Sequence, residues 1–298
     1  MELHQLEYLV AVAEEASFTK AAARVHIAQP GVSAQIRRLE RELGHALFDR
    51  SGGSVRVTDA GAAVLPLARA ALRAVHEIAD IAEQLRGVMR GRVAVGMMTS
   101  CPPNVITDTL AAFHERHPGV EISLVEAPSA DLIAGLRGGA IDLAVIGFAS
   151  TVGRGIQVAV INDDVMVAAV APSNELARRT GISVRALAEH ELICLPRGAG
   201  IRAGLDEGCA AAGVQAKVSL EASNPEVVGD LAARGLGVAV LPESYARTRD
   251  DLHLVRISRP TLRGRVGVTW RSDGRLSPVA TALIEMWIGR RQDYGGGV

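Results

Sequence analysis

The sequence predicts an α/β protein in three parts: a small module of helices, one long helix, and a larger domain of two lobes. Three observations support this prediction. Residues 20–58 carry seven Lys and Arg against three acids, in a chain whose net charge is only -1. Apolar residues then recur at helical spacing from Thr58 to Arg90. From Arg92 onward, strand-sized apolar runs alternate with helical patterns, which is typical of a mostly parallel sheet covered by helices.

Composition and the cysteine pattern exclude several classes of protein. The first residues lack the basic and apolar segments of a signal peptide, and the longest apolar runs, such as Asp164–Val170, are too short to span a membrane. Cys101, Cys194 and Cys209 have no metal-ligand spacing and are too few for a disulfide framework. We therefore expect a cytoplasmic protein with no cofactor, no metal and no membrane partner.

Two short helices are predicted at the N-terminus. The first carries apolar residues at helical spacing: Leu6, Leu9, Val10 and Ala13. The second starts after Ser17, a residue type favoured at helix N-caps. Its apolar face consists of Phe18, Ala22 and Val25. Small alanine side chains on this helix allow another helix to approach closely.

A third helix is predicted from Gln29-Pro30, where proline is tolerated in a first turn, to a C-cap at Gly44. Its buried stripe is predicted at Val32, Ile36, Leu39 and Leu43. Its polar residues are predicted to project elsewhere: Gln29, Ser33, Gln35, Arg37 and Arg38. Two helices joined by a tight turn, the second with polar residues off its buried face, form a helix-turn-helix whose second helix enters the major groove of DNA.

Two short strands, Leu47–Arg50 and Val55–Val57, are predicted around a Gly52-Gly53 turn. They would form a wing that places Arg50 and Arg56 near the DNA backbone, where phosphate neutralisation supplies affinity. The predicted DNA-binding residues are therefore Gln29, Pro30, Ser33, Gln35, Arg37, Arg38, Arg50 and Arg56. Glutamine can read adenine, and arginine can read guanine or hold phosphate. Solvated helix residues are the alternative for Ser33 and Gln35.

The order of these residues closely resembles the DNA-binding signature of the LysR-type transcriptional regulators. The matching segments are Ser17–Ala22, Gln29–Glu40, Leu43-Gly44, Leu47–Arg50 and Val57–Gly61. The resemblance implies a winged helix-turn-helix over residues 1–58, with the helix-turn-helix at 18–37. It also implies double-stranded DNA with a pseudo-palindromic operator as the partner.

Three positions depart from the family pattern, which often has Ser at Ala28, Arg at Ala34 and a basic residue at Gly53. The third helix therefore lacks its usual side-chain N-cap, which is worth about 1 kcal/mol. Base or minor-groove contacts at Ala34 and in the wing are in doubt. The departures leave the assignment of the module itself unaffected.

The long helix, residues 59–90, has an apolar stripe that the small module cannot cover alone. The stripe comprises Leu65, Ala68, Leu72, Val75, Ile78, Ile81, Leu85 and Val88. A helix from a second copy is expected to cover it, and in the family that the chain resembles this helix is the dimer interface. A homodimer or homotetramer is therefore expected, and a core helix within one chain is the alternative. Pro66 should kink the helix, and Gly87 and Gly91 predict a hinge at its end.

In the C-terminal part, strands and helices alternate in two sets. The first set is strand Arg92–Met98, helix Val105–Arg116, strand Val120–Glu126, helix Asp131–Arg137 and strand Ile141–Gly147. The second is strand Val165–Ala171, helix Val184–His190, strand Leu192–Leu195, helix Gly204–Ala212, strand Lys217–Glu221, helix Glu226–Arg234 and strand Gly237–Leu241. A strand Arg265–Trp270 and a helix Pro278–Arg290 are predicted to return to the first lobe. Two crossovers, near residues 161–164 and 262–265, would leave a cleft between the lobes.

This part is similar to the periplasmic-binding-protein-like effector domain of the same family. The matching segments are His117–Val120, Gly139–Ala144 and Ala233–Pro242. The resemblance implies an effector-binding domain over residues 91–298, with a first lobe at 91–161 and 265–290 and a second lobe at 162–264. It also implies a small-molecule effector and RNA polymerase as partners.

In open α/β sheets, ligands bind at the carboxyl ends of strands and against helix N-termini. The predicted effector-binding residues are Thr99, Ser100, Cys101, Ser129, Phe148, Gly200, Ile201, Arg202 and Asn224. An ordinary N-cap or loop position is the alternative for each. Arg202 is the candidate partner for a carboxylate, so the expected effector is a small anion or another polar metabolite. Closure of the lobes on it is expected to change the spacing of the DNA-binding modules.

Three other functions compete with this one. The peroxide-sensing branch of the family uses two cysteines in the second lobe. Cys209 lies near one of the two positions but Gly200 stands at the other, so thiol sensing would need a different pairing. A transport-class solute-binding protein would have no DNA-binding module. An enzyme is disfavoured because the sequence has no P-loop, G-x-S-x-G or H-E-x-x-H motif. We therefore expect a sequence-specific transcriptional regulator without enzymatic activity.

Overall fold

In the computed structural model, residues 1–51, 55–84, 89–99, 101, 103–274 and 276–290 are described. Two compact units make up the chain, the first formed by residues 1–89 and 137–140 and the second by residues 90–136 and 141–298. None of the described helices is both long enough and apolar enough to cross a membrane.

The first unit consists of four helices and a two-stranded antiparallel hairpin. Its elements are α1 (Leu3–Glu15), α2 (Phe18–Arg24), α3 (Gln29–Leu43), β1 (Phe48–Asp49), β2 (Arg56–Val57) and α4 (Asp59–Gln84). The predicted cap of α2 is confirmed, because the Lys20 backbone N–H donates to Ser17 Oγ at 3.3 Å. The α3 helix starts with proline in its first turn and has no side-chain N-cap, as the alanine at position 28 predicted.

One apolar core holds α1, α2, α3 and the start of α4 together. Val32, Ile36 and Leu39 of α3 are fully buried in it. The prediction that Leu43 extends this stripe is wrong, since its side chain is 36% exposed. Leu43 is the last residue of α3, which Gly44 closes in the left-handed conformation with φ of 73°. The residue therefore lies beyond the packed face of the helix.

The long helix α4 ends earlier than predicted. The described helix stops at Gln84, Met89 and Arg90 are not helical, and Gly91 is already the first residue of a strand. Pro66 lies inside the helix, as predicted. The hinge predicted at Gly87 lies outside the described residues.

The apolar stripe of α4 divides into two parts. Leu65 and Ala68 are buried in the core of the first unit, and Leu72 packs partly against it. Val75 and Ile78, in contrast, are 41% and 70% exposed. The side chains predicted to continue the stripe, Ile81, Leu85 and Val88, lie outside the description. The small module thus covers the first part of the stripe itself.

The second unit is built on one mixed sheet with the strand order β4-β3-β5-β12-β6-β10-β8-β9, to which β11 and β7 add beside β6. The strands are β3 (Gly91–Met98), β4 (Val120–Ala127), β5 (Leu143–Phe148), β6 (Ile156–Val170), β7 (Gly181–Ser183), β8 (Leu192–Cys194), β9 (Val218–Glu221), β10 (Val238–Pro242), β11 (His253–Ser258) and β12 (Arg263–Arg271). The helices are α5 (Pro103–Arg116), α6 (Ser129–Arg137), a 3₁₀ turn (Glu175–Arg178), α7 (Val184–Leu187), α8 (Gly200–Ala211), α9 (Pro225–Ala233), α10 (Glu243–Ala246) and α11 (Pro278–Gly289).

Two parallel regions of this sheet define the two lobes. Strands β4, β3 and β5 are parallel in the first lobe, and β10, β8 and β9 are parallel in the second. Each lobe has its own core. The mostly parallel sheet predicted from the first set of strands is confirmed, and the centre of the sheet is antiparallel, with Arg265 of β12 opposite Asp163 of β6. Both predicted crossovers lie in this antiparallel pair.

Several predicted elements have different limits in the structure. Strand β6 begins at Ile156 rather than Val165, because Gln157 and the polar residues 162–164 break up the apolar residues of its first half. Helix α8 begins at Gly200 rather than Gly204, and α7 ends at Leu187 rather than His190. Strands β7 and β11 and the short helices after β6 and β10 were not predicted. These elements are only three to six residues long, so their periodic signal is weak.

Candidate functional sites

The outer face of α3 carries the exposed polar residues of the first unit. Gln29, Pro30, Arg37 and Arg38 are exposed, as the sequence predicted. Arg37 and Arg38 point away from the apolar stripe of α3, which faces the core. Gln29 has nearly the direction of Ile36 but is exposed in the first turn of the helix. The exposed surface of α3 therefore presents two guanidinium groups on its outer face and one amide at its N-terminal end.

Ser33 and Gln35 are placed differently from their prediction. Ser33 is only 7% exposed, because it precedes the fully buried Ile36 by three residues and so shares the edge of the buried face. Gln35 is half-buried, and its Oε1 accepts a hydrogen bond from Nε2 of the buried Gln5 at 3.1 Å. Gln5 Oε1 in turn accepts the Glu2 backbone N–H at 2.9 Å. This chain of hydrogen bonds fixes the Gln35 amide so that its NH₂ group is left for other partners.

In the wing, the guanidinium of Arg50 is used within the protein. Its Nη2 donates to Glu40 Oε2 at 3.0 Å, and the group lies 4.6 Å from the centre of the Phe18 ring. The other Glu40 oxygen accepts the backbone N–H groups of Leu47 and Phe48. Arg50 therefore helps to fasten the wing to α3. Arg56 is exposed, and the wing's Gly52-Gly53 turn lies outside the described residues.

A cavity of about 550 Å³ lies in the second unit, between its two lobes. Five of the predicted effector-binding residues line it: Thr99, Cys101, Gly200, Ile201 and Asn224. Ser100 lies outside the described residues. The cavity is within the size range of small-molecule sites, which is about 300–1,000 Å³.

Three predicted effector-binding residues do not line the cavity. Ser129 is buried, and its Oγ accepts the Gly147 backbone N–H at 3.2 Å. Phe148 is buried in the core of the first lobe. Arg202 is 5% exposed; its Nε donates to Asp206 at 3.0 Å, and its Nη1 donates to Glu221. Arg202 is turned away from the cavity because carboxylates of its own lobe pair with it.

The lining also contains polar residues that the sequence did not single out. They are Thr107, Glu126, Asn162, Asp164, Glu226, Ser244, Tyr245 and Arg265. The sequence did contain a sign that two of them border the cleft. Asn162 and Asp164 lie in the polar interruption of β6 that coincides with a predicted crossover between the lobes, and a crossover borders the cleft.

The two lobes approach each other backbone to backbone at one side of the cavity. A Cβ atom placed on Gly200, at the start of α8, would lie 2.1 Å from the carbonyl carbon of Gly147 and 2.2 Å from the Phe148 nitrogen. Real side chains do not tolerate such distances. The close contact between α8 and β5 therefore requires glycine at position 200.

The three cysteines are poorly placed for thiol chemistry. Cys101 is half-buried at the cavity, and Cys194 and Cys209 are buried in the core of the second lobe. Burial raises the pKa of the Cys101 and Cys194 thiols to about 12, and it also raises the pKa of Cys209. Since the thiolate is the reactive form, these thiols are expected to react slowly. Among the described residues, no group of three His, Cys, Asp or Glu could hold a metal ion.

Comparison with known proteins matches both units. Residues 3–62 match the family of bacterial regulatory helix-turn-helix proteins of lysR type, and residues 86–290 match the LysR substrate binding domain. The DNA-binding transcriptional dual regulator OxyR of Escherichia coli K12 is 30% identical over 288 residues, covering 96% of this chain and 94% of that protein. The RuBisCO operon transcriptional regulator of Allochromatium vinosum is 30% identical over 292 residues, covering 96% and 95%.

Solved structures resemble the whole chain. A full-length OxyR variant from Pseudomonas aeruginosa superposes with a TM-score of 0.77 at 24% identity, covering 98% of this chain and 95% of that one. Full-length CbnR in complex with its target DNA gives a TM-score of 0.60 at 25% identity, covering 98% of this chain and all of that one (100%). The similarity to the OxyR variant shows a shared fold. The CbnR structure is that of a protein bound to its target DNA.

Proposed function

The chain belongs to the LysR family of bacterial transcriptional regulators, DNA-binding proteins with an effector-binding domain, and from this premise we propose which of its surfaces perform each task. Residues 1–58 form the DNA-binding domain, residues 59–90 the linker, and residues 91–298 the effector-binding domain. The protein acts in the cytoplasm on a pseudo-palindromic operator, with RNA polymerase as a further partner.

The observation that supports the DNA-binding surface is the two-sided character of α3. Val32, Ile36 and Leu39 fix one face in the core, and this leaves Arg37 and Arg38 on the opposite, exposed face. Gln29 lies in the first turn of the helix, the part that contacts base edges in a helix-turn-helix. Arg37, Arg38 and Arg56 hold phosphates, while Arg50 supports the wing.

Binding to the DNA upstream of the protein's own gene tests this assignment. Gln29→Ala should weaken operator binding by about 1–3 kcal/mol and leave binding to a scrambled duplex nearly unchanged. Arg37→Ala should weaken binding to both duplexes and reduce the slope of log affinity against log salt by about 1. Glu7→Gln, on the exposed face of α1, is the control and should preserve the operator-to-scrambled ratio. Equal losses on both duplexes for Gln29→Ala would remove this residue from base recognition.

The proposed assembly is a homodimer or homotetramer formed through α4. Leu67 and Ile78 are 71% and 70% exposed. Eleven positions separate them along the helix, so their side chains point within about 20° of the same direction. Exposed Ala71 and Ala74 lie near the line between them. This outer stripe is distinct from Leu65, Ala68 and Leu72, which the first unit covers itself. A second copy of the helix is the natural partner for an exposed apolar stripe.

Sedimentation of the full-length protein tests the assembly. Leu67→Glu combined with Ile78→Glu should convert the wild-type oligomer to a monomer and abolish tight operator binding, because a two-fold protein holds two half-sites. His76→Glu adds charge at an exposed position about 180° around the helix and should leave both properties unchanged. A wild-type monomer at micromolar concentration would contradict the proposal.

The cavity between the lobes is the proposed effector site. It joins strand ends of the first lobe to the N-termini of α8 and α9 in the second. A ligand that touches both lobes can shift their equilibrium by its differential affinity for the closed and open forms. Through this shift it alters operator binding.

Thiol-based sensing is a weaker candidate for this chain, although OxyR is among its relatives. Position 200 holds a glycine that cannot accept a side chain without moving β5, and the three thiols have raised pKa values. These observations favour a small-molecule effector over oxidation.

A further inference from the structure

The charged groups around the cavity have one predominant sign. The residues that line it include three carboxylates, from Glu126, Asp164 and Glu226, and Arg265 is the one basic residue among those described there. The carboxylates come from three separate elements, β4, β6 and α9. A cleft whose lining carries an excess of like charge favours a ligand of the opposite charge.

Arg265 does not neutralise this excess, because its guanidinium is engaged beside the cavity. Its Nε donates to Asp163 Oδ2 at 3.3 Å, and its Nη1 donates to the Ala149 carbonyl at 3.0 Å. Arg263 also donates to Asp163, at 2.7 Å. Burial opposes ionisation of Asp163, but the hydrogen bonds from the two arginines outweigh it and lower its pKa. Asp163 is thus shared by two guanidinium groups, and this cluster keeps one net positive charge against the three carboxylates of the lining.

Glu226 is compensated locally. It lies in the first turn of α9, where the unpaired N–H groups and the helix dipole favour a negative charge. Asn224 caps the same turn by accepting the Glu226 backbone N–H at 2.8 Å. This leaves Glu126 and Asp164 as the two carboxylates without a compensating cation.

The surroundings of these two carboxylates suit a ligand cation. Asp164 is half-buried, and its Oδ2 accepts the Ser244 backbone N–H at 3.0 Å, which fixes the direction of the group. Glu126 lies near the carboxyl end of β4, the end at which open sheets bind ligands. In the described residues, the hydrogen bonds and ion pairs include none made by the Glu126 carboxylate. The remaining lining includes Met97, Ile106 and Leu124, which would contact an apolar carbon chain.

We propose that the cavity binds a small molecule bearing a protonated amine or guanidine, and that Glu126 and Asp164 hold this cationic group. The proposal rests on the cavity being the effector site. It replaces the expected pairing of an anionic ligand with Arg202, whose guanidinium is bound by Asp206 and Glu221 instead. A zwitterion belongs to the proposed ligand class when removal of its amine abolishes binding.

Thermal denaturation of the full-length protein with size-matched probes tests the proposal. The cationic probes are 1,4-diaminobutane, agmatine and arginine, the zwitterion is 4-aminobutyrate, and the anion is succinate. At least one amine or guanidine should raise the melting temperature in a saturable way, since a ligand that binds only the folded state stabilises it. Succinate should leave the melting temperature unchanged.

Neutralised variants separate a bound cation from general charge screening. Glu126→Gln and Asp164→Asn should each weaken binding of the active probe at least tenfold. Glu121→Gln is the matched control, since Glu121 is an exposed residue of the same strand that does not line the cavity. It should leave probe binding unchanged. The wild type and Glu121→Gln should bind operator DNA equally without a probe, so a failure of probe binding is distinguishable from a failure of the DNA-binding assignment.

Three outcomes would overturn the proposal. The first is stabilisation by succinate alone, which would point to the helix N-termini as an anion site. The second is an absence of stabilisation by every amine and guanidine probe. The third is stabilisation that Glu121→Gln reduces as much as Glu126→Gln, since the cations would then be screening the surface.

Discussion

The exposed face of α3 and the cavity of the second unit differ in how their polar residues are positioned. On α3, a row of buried apolar residues fixes the opposite face, so the directions of Arg37 and Arg38 follow from helical periodicity. The cavity is lined from strand ends, loops and helix starts that are distant in sequence. Arg202, the strongest candidate there by residue type, is bound by carboxylates outside the cavity lining. Residue type is thus a guide to function where helical periodicity already fixes the direction of a side chain. It is a poor guide where tertiary contacts decide that direction.

The largest expected effect is on the packed side of α3. Ile36→Ala should lower the stability of the first unit by about 2–5 kcal/mol, because a fully buried side chain leaves a cavity. Leu43→Ala should change it by less than about 0.5 kcal/mol, because Leu43 lies outside the packed face. Hydrogen exchange of the α3 amides reports the stability of this unit. Similar losses of stability for both variants would show that Leu43 belongs to the buried stripe after all.

A smaller effect is expected where the two lobes touch. Gly200→Ala should cost about 1–3 kcal/mol, because its Cβ would overlap the backbone of β5. Gly135→Ala is the control; in α6 its Cβ would be 3.4 Å from Ile141, an ordinary contact, and alanine favours a helix by about 0.5–1 kcal/mol. Differential scanning calorimetry measures both. Equal stability of Gly200→Ala and the wild type would show that the close contact between the lobes is dispensable.

A smaller effect on operator binding is expected from Gln5, whose hydrogen bond to Gln35 orients a residue of the proposed DNA-binding helix. Gln5→Leu should weaken operator binding by about 0.5–1.5 kcal/mol, the worth of one hydrogen bond. In a Gln35→Ala background it should have no further effect on operator affinity, because the group it orients is gone. Anisotropy titrations of the two single variants and the double variant give the coupling. Additive losses would mean that Gln5 stabilises the fold without orienting Gln35.

The smallest functional effect is expected from the cysteines. A thiol with the ordinary pKa of 9.0 has roughly 10³ times more thiolate at pH 8 than one with a pKa of about 12, such as Cys101. The alkylation rate of Cys101 should therefore keep rising as the pH increases above 9. Unfolding the protein in urea should raise this rate to that of an ordinary exposed thiol. Changing all three cysteines to serine should preserve operator binding and its response to ligand. Rapid alkylation of the folded protein at pH 7 would favour thiol sensing instead.

The sequence determined the features that rest on local periodicity and on local chemistry. The N-cap at Ser17, the proline at the start of α3, the end of the helix at Gly44 and the two-stranded wing are all set within a few residues. The alternation of strands and helices predicted the two lobes for the same reason. The family signature between Ser17 and Gly61 added the function that periodicity cannot supply.

Only the tertiary structure decided where charges and small residues meet. Arg50 and Arg202 carry the residue type of ligand-binding groups, yet each is paired with a carboxylate that only folding brings near: Glu40 for the first and Glu221 for the second. Gly200 and the acids of the cavity acquire their roles from partners far along the chain. Periodicity fixes which face of an element is buried, whereas the pairing of a long side chain depends on which charges folding brings within reach.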